Sequence, residues 1–257
     1  MSKVVTIIPA RLASTRLPNK PLADINGKTL IQRVYENVKK TVPGEVYIAA
    51  GDVEIVSECE KFGAKAILTD PSLPSGTDRI AAALKKIDPT GTKFDIVVNF
   101  QGDAVNVDPE INNKLIEMIE RTDCDIATCG KVFKSETAAK DPSNVKIVMG
   151  LNEGETEGRG VYFTRAEAPF TRNPEKAKNK DLYHHIGIYA YKASSLQKFV
   201  GLPVGVLEDR EALEQLRALE NGMVIRAKLI ENLALNKAAP ADIDTEEELM
   251  EARKHIF

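Results

Sequence analysis

Short apolar, β-branched runs alternate with amphipathic stretches through the first half of the chain, and this alternation limits the fold more than any other feature. Residues 4–8, 46–50, 64–68 and 96–100 read as strands. Between them, 30–40, 54–62 and 80–87 carry apolar residues at helical spacing. Alternation of this kind predicts an α/β domain whose mostly parallel sheet is covered by helices. Asp108-Pro109 pairs an N-cap residue with a proline at the first helical position, which predicts a helix to about Arg121.

The second half is less regular. Residues 146–149 and 187–190 read as strands, and 208–221 as one helix ended by Gly222. Thr245 and Glu248 form a capping box opening the last helix. The polar stretch 152–160 and the basic stretch 173–180 read as loops. Without a repeat or a clear linker, 1–257 reads as a single domain.

At 257 residues the chain is long enough for one large core. Its formal charge of -3, from 35 basic and 38 acidic residues, lacks the basic excess of a nucleic-acid binder. Any polyanion must therefore be met by a local cluster. Cys59, Cys124 and Cys129 form no CxxC pair and no even disulfide set, so reduced, buried thiols are expected. The run 4–8 is too short for a signal-peptide core or a membrane span. A cytoplasmic protein with no membrane partner is expected.

The segment Ile8-Pro9-Ala10-Arg11-Leu12-Ala13-Ser14-Thr15-Arg16-Leu17-Pro18-Asn19-Lys20-Pro21-Leu22 follows the first strand directly. Ligands of open parallel sheets sit beyond the carboxyl ends of strands. Arg11, Arg16 and Lys20 suit a triphosphate there, arginine by its fork and lysine by its point charge. On the residues alone the segment is either such a cradle or a solvated loop whose cations face water. It lacks the Walker pattern, which disfavours a P-loop ATPase. A second feature is Gln101-Gly102-Asp103 at the end of a buried strand, where an aspartate can hold magnesium over a cleft or merely turn the chain. Asp244, before the last helix, is either a second metal ligand or a helix-entry acid favoured by the dipole.

The string from Ile8 to Leu22, continuing ADINGKTLI, resembles the opening signature of the 3-deoxy-manno-octulosonate (Kdo) cytidylyltransferase family, with Asn19 where glycine is common. Later motifs follow in the family's order. They are Ser75-Gly76-Thr77-Asp78-Arg79, Gln101-Gly102-Asp103, Tyr162-Phe163-Thr164-Arg165-Ala166, His185-Ile186-Gly187-Ile188-Tyr189, Leu213-Glu214-Gln215-Leu216-Arg217 and Ile243-Asp244-Thr245. Two departures stand out: Ala104-Val105 where QGD is usually followed by one residue and then a proline, and Ala49-Ala50-Gly51-Asp52 where A-T-D followed by another polar residue is common.

The resemblance implies a three-layer α/β nucleotidyltransferase fold of the nucleotide-diphospho-sugar transferase type, with a small dimerisation subdomain from the second half. It implies transfer of CMP from CTP to the anomeric hydroxyl of Kdo, for lipopolysaccharide biosynthesis. By the same resemblance Arg11, Lys20 and Asp103 are catalytic, and Mg²⁺ sits on Asp103 and Asp244. Ala10, Arg11, Ser14, Lys20, Ser75, Thr77 and Gln101 hold the nucleotide. Gln101, Arg165, His185, Tyr189, Glu214 and Gln215 meet the sugar acid. A homodimer is implied as well.

Local chemistry keeps plainer roles open for several of these residues. Ser75 or Thr77 serves as a helix cap, His184-His185 as an ordinary strand pair, and Glu214 with Arg217 as an (i, i+3) pair. Two other activities stay open: a cytidylyltransferase for an amino analogue of Kdo or a sialic acid, and a nucleotide-binding homologue with lost activity.

Overall fold

The computed structural model describes residues 2–257. The first half contains β1 (Val4–Ala10), a 3-10 turn (Lys20–Leu22), a two-strand hairpin of β2 (Asp24–Ile25) and β3 (Lys28–Thr29), α1 (Leu30–Thr41), β4 (Glu45–Ala50), α2 (Val53–Lys61), β5 (Lys65–Leu68), α3 (Gly76–Ile87), β6 (Ile96–Asn99) and α4 (Glu110–Arg121). Then come β7 (Ile126–Val132), α5 (Glu136–Lys140), β8 (Lys146–Gly150), β9 (Glu157–Thr164), β10 (Tyr183–Lys192), α6 (Ala193–Val200), α7 (Val206–Glu211), α8 (Gln215–Glu220), β11 (Ile225–Leu229) and α9 (Glu246–His255).

Period-two alternation sorts the strands between two cores. From β1, Val4, Ile8 and Ala10 pack with Leu30, Ile55, Ile111 and Leu249, that is, with α1, α2, α4 and α9. Val5 and Ile7, on the opposite face, pack with Ile80 of α3, Leu196 of α6 and Leu216 of α8. Each such valine, leucine or isoleucine removed from water contributes about 1.5–3 kcal/mol. Three local signals start helices, the last two as read from the sequence. Thr29 Oγ1 accepts from Gln32 N at 3.4 Å, Ser75 Oγ from Asp78 N at 3.1 Å, and Thr245 and Glu248 form the reciprocal box. All three cysteines are free and buried.

The sheet departs from the expected mostly parallel form. Its nine strands run β5-β4-β1-β6-β10-β7-β11-β9-β8. Pairs β1–β4, β1–β6, β4–β5 and β7–β11 are parallel, whereas β6–β10, β7–β10, β8–β10, β9–β11 and β8–β9 are antiparallel. The first half is parallel, as its strand–helix alternation requires. The long β10 then enters antiparallel between β6 and β7. Its start also meets β8 at His184 and Lys146, so the second-half strands curl back on themselves.

Two further expectations are corrected. Residues 208–221 do not form one helix: α7 ends at Glu211, Ala212 takes a left-handed conformation (φ 50, ψ 50), and α8 begins at Gln215. The break is held by Arg165, whose guanidinium donates to Glu211 O at 2.6 Å and Ala212 O at 3.2 Å. Those carbonyls therefore do not continue the helix. The polar stretch 152–160 is a loop only in its first part, because β9 begins at Glu157. Gly158 faces inward there, and a β-carbon on it would collide with the Gly150 carbonyl of β8. The glycine that suggests a loop is what lets two strands approach.

Candidate active site

A cleft of about 370 Å³ lies beyond the carboxyl ends of β1 and β6. Its wall includes Ala10, Arg11, Ser14, Arg16, Lys20, Ser75, Arg79, Gln101, Asp103 and Asp244. The loop after β1 is shaped by local chemistry. Asn19 sits in the left-handed region (φ 55), where asparagine replaces glycine at small cost, and Lys20 then enters the 3-10 turn. Asp52 Oδ2 accepts from Leu12 N at 2.8 Å, so the aspartate of Ala50-Gly51-Asp52 anchors this loop. Behind Asp103, a β-carbon on Gly102 would stand 2.5 Å from Pro9 O; the end of β1 crosses there too closely for any side chain.

Folding brings Asp103 and Asp244 to one point. Lys20 Nζ donates to Asp103 Oδ2 at 2.6 Å and to Asp244 Oδ1 at 2.8 Å, and Arg16 Nη2 donates to Asp244 Oδ2 at 2.8 Å. Burial pulls the Lys20 ammonium down, but the two aspartates outweigh it and hold its pKa above the ordinary value. Burial likewise pushes Asp244 up, while Lys20 and Arg16 bring it below the ordinary carboxylate value. Nearby Asp242 is pushed up by burial and by the charges of Asp103, Asp244 and Glu248. The donor set suits magnesium, which takes oxygen ligands and typically one or two carboxylates, leaving the rest to water and phosphate.

The loop carrying Asp103 is tied to the segment carrying Asp244 by Asn106. Its Nδ2 donates to Asn236 O at 2.7 Å and Ala239 O at 3.0 Å, and its Oδ1 accepts from Asn236 N at 2.8 Å. Backbone bonds from Asn106 N to Ala241 O and from Ile243 N to Asp103 O complete the join. A buried asparagine thus joins the loop after Gln101-Gly102-Asp103 to the segment before α9.

A second cluster adjoins the cleft through Gln101, whose Nε2 donates to Gly187 O at 2.9 Å and Asn99 Oδ1 at 3.2 Å. Gly187 lies in the β10 irregularity between Ile186 and Tyr189. His185 and Tyr189 flank it with rings 5.5 Å apart, both buried. Thr128 Oγ1 donates to Ile188 O at 2.8 Å and meets His185 Nε2 at 3.0 Å. A hydroxyl has one proton, so His185 Nε2 carries its own and donates. Burial, then His184, lowers the His185 pKa to about 3, and the ring is neutral.

Thr77 Oγ1 donates to Glu214 Oε1, while Glu214 Oε2 is buried without a hydrogen-bond partner. Burial raises the Glu214 pKa despite the hydroxyls of Thr77 and Ser75. Gln215 is buried beside it at the start of α8.

The expected residues therefore separate. Ala10, Arg11, Ser14, Lys20, Ser75, Gln101, Asp103 and Asp244 line one cleft. Ser75 also caps α3, so its plainer reading holds as well. Thr77 is buried with its hydroxyl committed to Glu214, away from the cleft wall. Arg165 joins neither cluster: it grips Glu211 O, Ala212 O and, at 3.0 Å, Pro142 O. Glu214 does not pair with Arg217, which instead makes a buried two-bond pair with Glu208 at 2.7 and 2.6 Å. Two cations of the cleft wall, Arg16 and Arg79, were not among the site residues that the resemblance implied. The first was visible as a cation of the β1 loop. Arg79 closes the Ser75–Arg79 motif, and its buried guanidinium holds Thr69 Oγ1 at 2.7 Å.

The cytidylyltransferase family model matches residues 5–229. A 3-deoxy-manno-octulosonate cytidylyltransferase of Paramagnetospirillum magneticum is 42% identical over 96% of this chain and 98% of its own length. One from Brucella anthropi is 46% identical over 94% of each. This chain belongs to the 3-deoxy-manno-octulosonate cytidylyltransferase family. A solved structure of CMP:2-keto-3-deoxy-manno-octonic acid synthetase complexed with CTP superposes with a TM-score of 0.85, at 35% identity and 98% coverage of both chains. The β1 loop, Gln101-Gly102-Asp103 and Asp244, which carried the resemblance, meet in one cleft. None of the described helices is long and apolar enough to cross a membrane.

Proposed function

We propose that this chain transfers CMP from CTP to the anomeric hydroxyl of 3-deoxy-D-manno-octulosonate, releasing pyrophosphate, in the synthesis of lipopolysaccharide. One observation carries the reading. In a chain that matches the family along nearly its whole length, two aspartates remote in sequence converge on one cation inside a cleft walled by Arg11, Arg16 and Lys20.

In this reading the oxygen of the sugar hydroxyl bonds to the α-phosphorus as the bond to pyrophosphate breaks. Such a displacement needs positioning and charge neutralisation, and no covalent nucleophile. Arg11, Arg16 and Lys20 grip the departing phosphates. Ser14 and Ser75 supply hydroxyls at the cleft wall. Asp103 and Asp244 hold Mg²⁺, which when bound polarises the phosphate and lowers the pKa of the attacking hydroxyl. Gln101 stands between the phosphate cleft and the cluster of His185, Tyr189 and Glu214, which orients the sugar acid. The chain works as a homodimer, as the family resemblance implies.

Pyrophosphate release from CTP, Mg²⁺ and a panel of sugar acids tests the activity. Kdo is expected to outperform sialic acid and amino-Kdo. Asp103→Asn is expected to abolish turnover with an unchanged melting temperature. Near-normal release from that variant would refute the metal pair.

A further inference from the structure

Both oxygens of Asp244 are committed to cations of the β1 loop, Oδ1 to Lys20 and Oδ2 to Arg16, each at 2.8 Å. Lys20 also takes Asp103 Oδ2 at 2.6 Å. The side chains of Lys20, Asp103 and Asp244 keep 16%, 27% and 31% of their surface, so the ammonium can leave without opening the core. A magnesium ion bound by carboxylates lies about 2.0–2.1 Å from each oxygen. The ammonium, at 2.6 and 2.8 Å from the same two oxygens, fills that space. Two cations so close repel strongly, and one must go.

Charge decides when it goes. Arg16 and Lys20 cancel Asp103 and Asp244, so the four groups are formally neutral. A bare divalent ion entering them brings two uncompensated charges. A nucleoside triphosphate changes both sides of the exchange: it brings negative charge, and its phosphate oxygens give Lys20 and Arg16 new partners. We propose that Lys20 is a built-in occupant of the divalent-ion position, and that the nucleotide's phosphates draw it off the two aspartates, so that metal and nucleotide enter the cleft together. This rests on the assignment of Asp103 and Asp244 as the metal pair.

The test is Mn²⁺ binding to the nucleotide-free protein, followed by loss of the free-ion electron paramagnetic resonance signal. Lys20→Gln should bind Mn²⁺ about tenfold more tightly than the native chain, the scale of its two partly exposed ion pairs taken together. Arg11→Gln removes a cleft cation that forms no ion pair with either aspartate among the described residues. It should change affinity less than about threefold, far below the Lys20 effect. Equal affinities for the native chain and Lys20→Gln would overturn the proposal. Adding Asp103→Asn to Lys20→Gln should erase the gain; a gain that survives it overturns the metal pair itself. A second measurement needs no variant. The Lys20 Nζ resonance of the native chain should move when CTP is added without metal, and a resonance that stays in place refutes displacement by phosphate.

Discussion

Replacing Asn106 with alanine tests whether the two aspartates are aligned by the strap behind them. The side chain is 3% exposed and makes three hydrogen bonds, two donated to Asn236 O and Ala239 O and one accepted from Asn236 N. Each such bond contributes about 0.5–1.5 kcal/mol net, and a buried group stranded by the change costs about 1–3 kcal/mol. Since water can reach part of the gap left behind, a total of about 3–4 kcal/mol is expected, a large share of a typical folding free energy of about 5–15 kcal/mol. Urea unfolding reads that loss directly. Activity at a temperature where the variant stays folded should fall at least about tenfold, because small misplacement at a reacting centre is costly. Asn106→Ala unfolding within about 1 kcal/mol of the native chain, with normal turnover, would refute the role of the strap.

His185 makes stability pH-dependent. Its pKa is about 3 in the folded chain, against about 6.5 unfolded, so only the unfolded state gains a proton between those values. The contribution is full above about pH 6.5 and is lost as pH falls, reaching about 2 kcal/mol at pH 5. His185→Gln should flatten the urea midpoint between pH 6.5 and 5 by about that amount; an unchanged slope counts against a buried neutral ring. Arg217→Ala leaves the Glu208 carboxylate buried without its partner and should cost about 3–5 kcal/mol in thermal or urea unfolding. A loss below about 1 kcal/mol would mean that the pair is effectively solvated. Gly102→Ala forces a β-carbon against Pro9 O and should reduce turnover more than it changes CTP affinity, measured by calorimetry with and without Mg²⁺. Equal effects on both would place the strain outside the Asp103 turn.

Local chemistry was legible wherever neighbours in sequence are the partners. The runs that became β1, β4, β5 and β6, the amphipathic faces of α1 to α3, the Asp108-Pro109 start of α4 and the Thr245–Glu248 box needed only periodicity and capping to be found. The β1 loop was equally visible, because cations placed after a first strand carry their chemistry in the order of residues. Tertiary structure decided what depends on partners far along the chain. Ala212 breaks a good helical pattern because Arg165, just past the end of β9, takes the carbonyls, and Glu157–Thr164 is a strand because Gly158 lets β8 come close. It decided that Glu208 rather than Glu214 meets Arg217, and that Lys20 lies between Asp103 and Asp244. Short-range patterns fix backbone conformation through propensity and burial, whereas an ion pair or strand register is set by which surfaces the whole chain brings together.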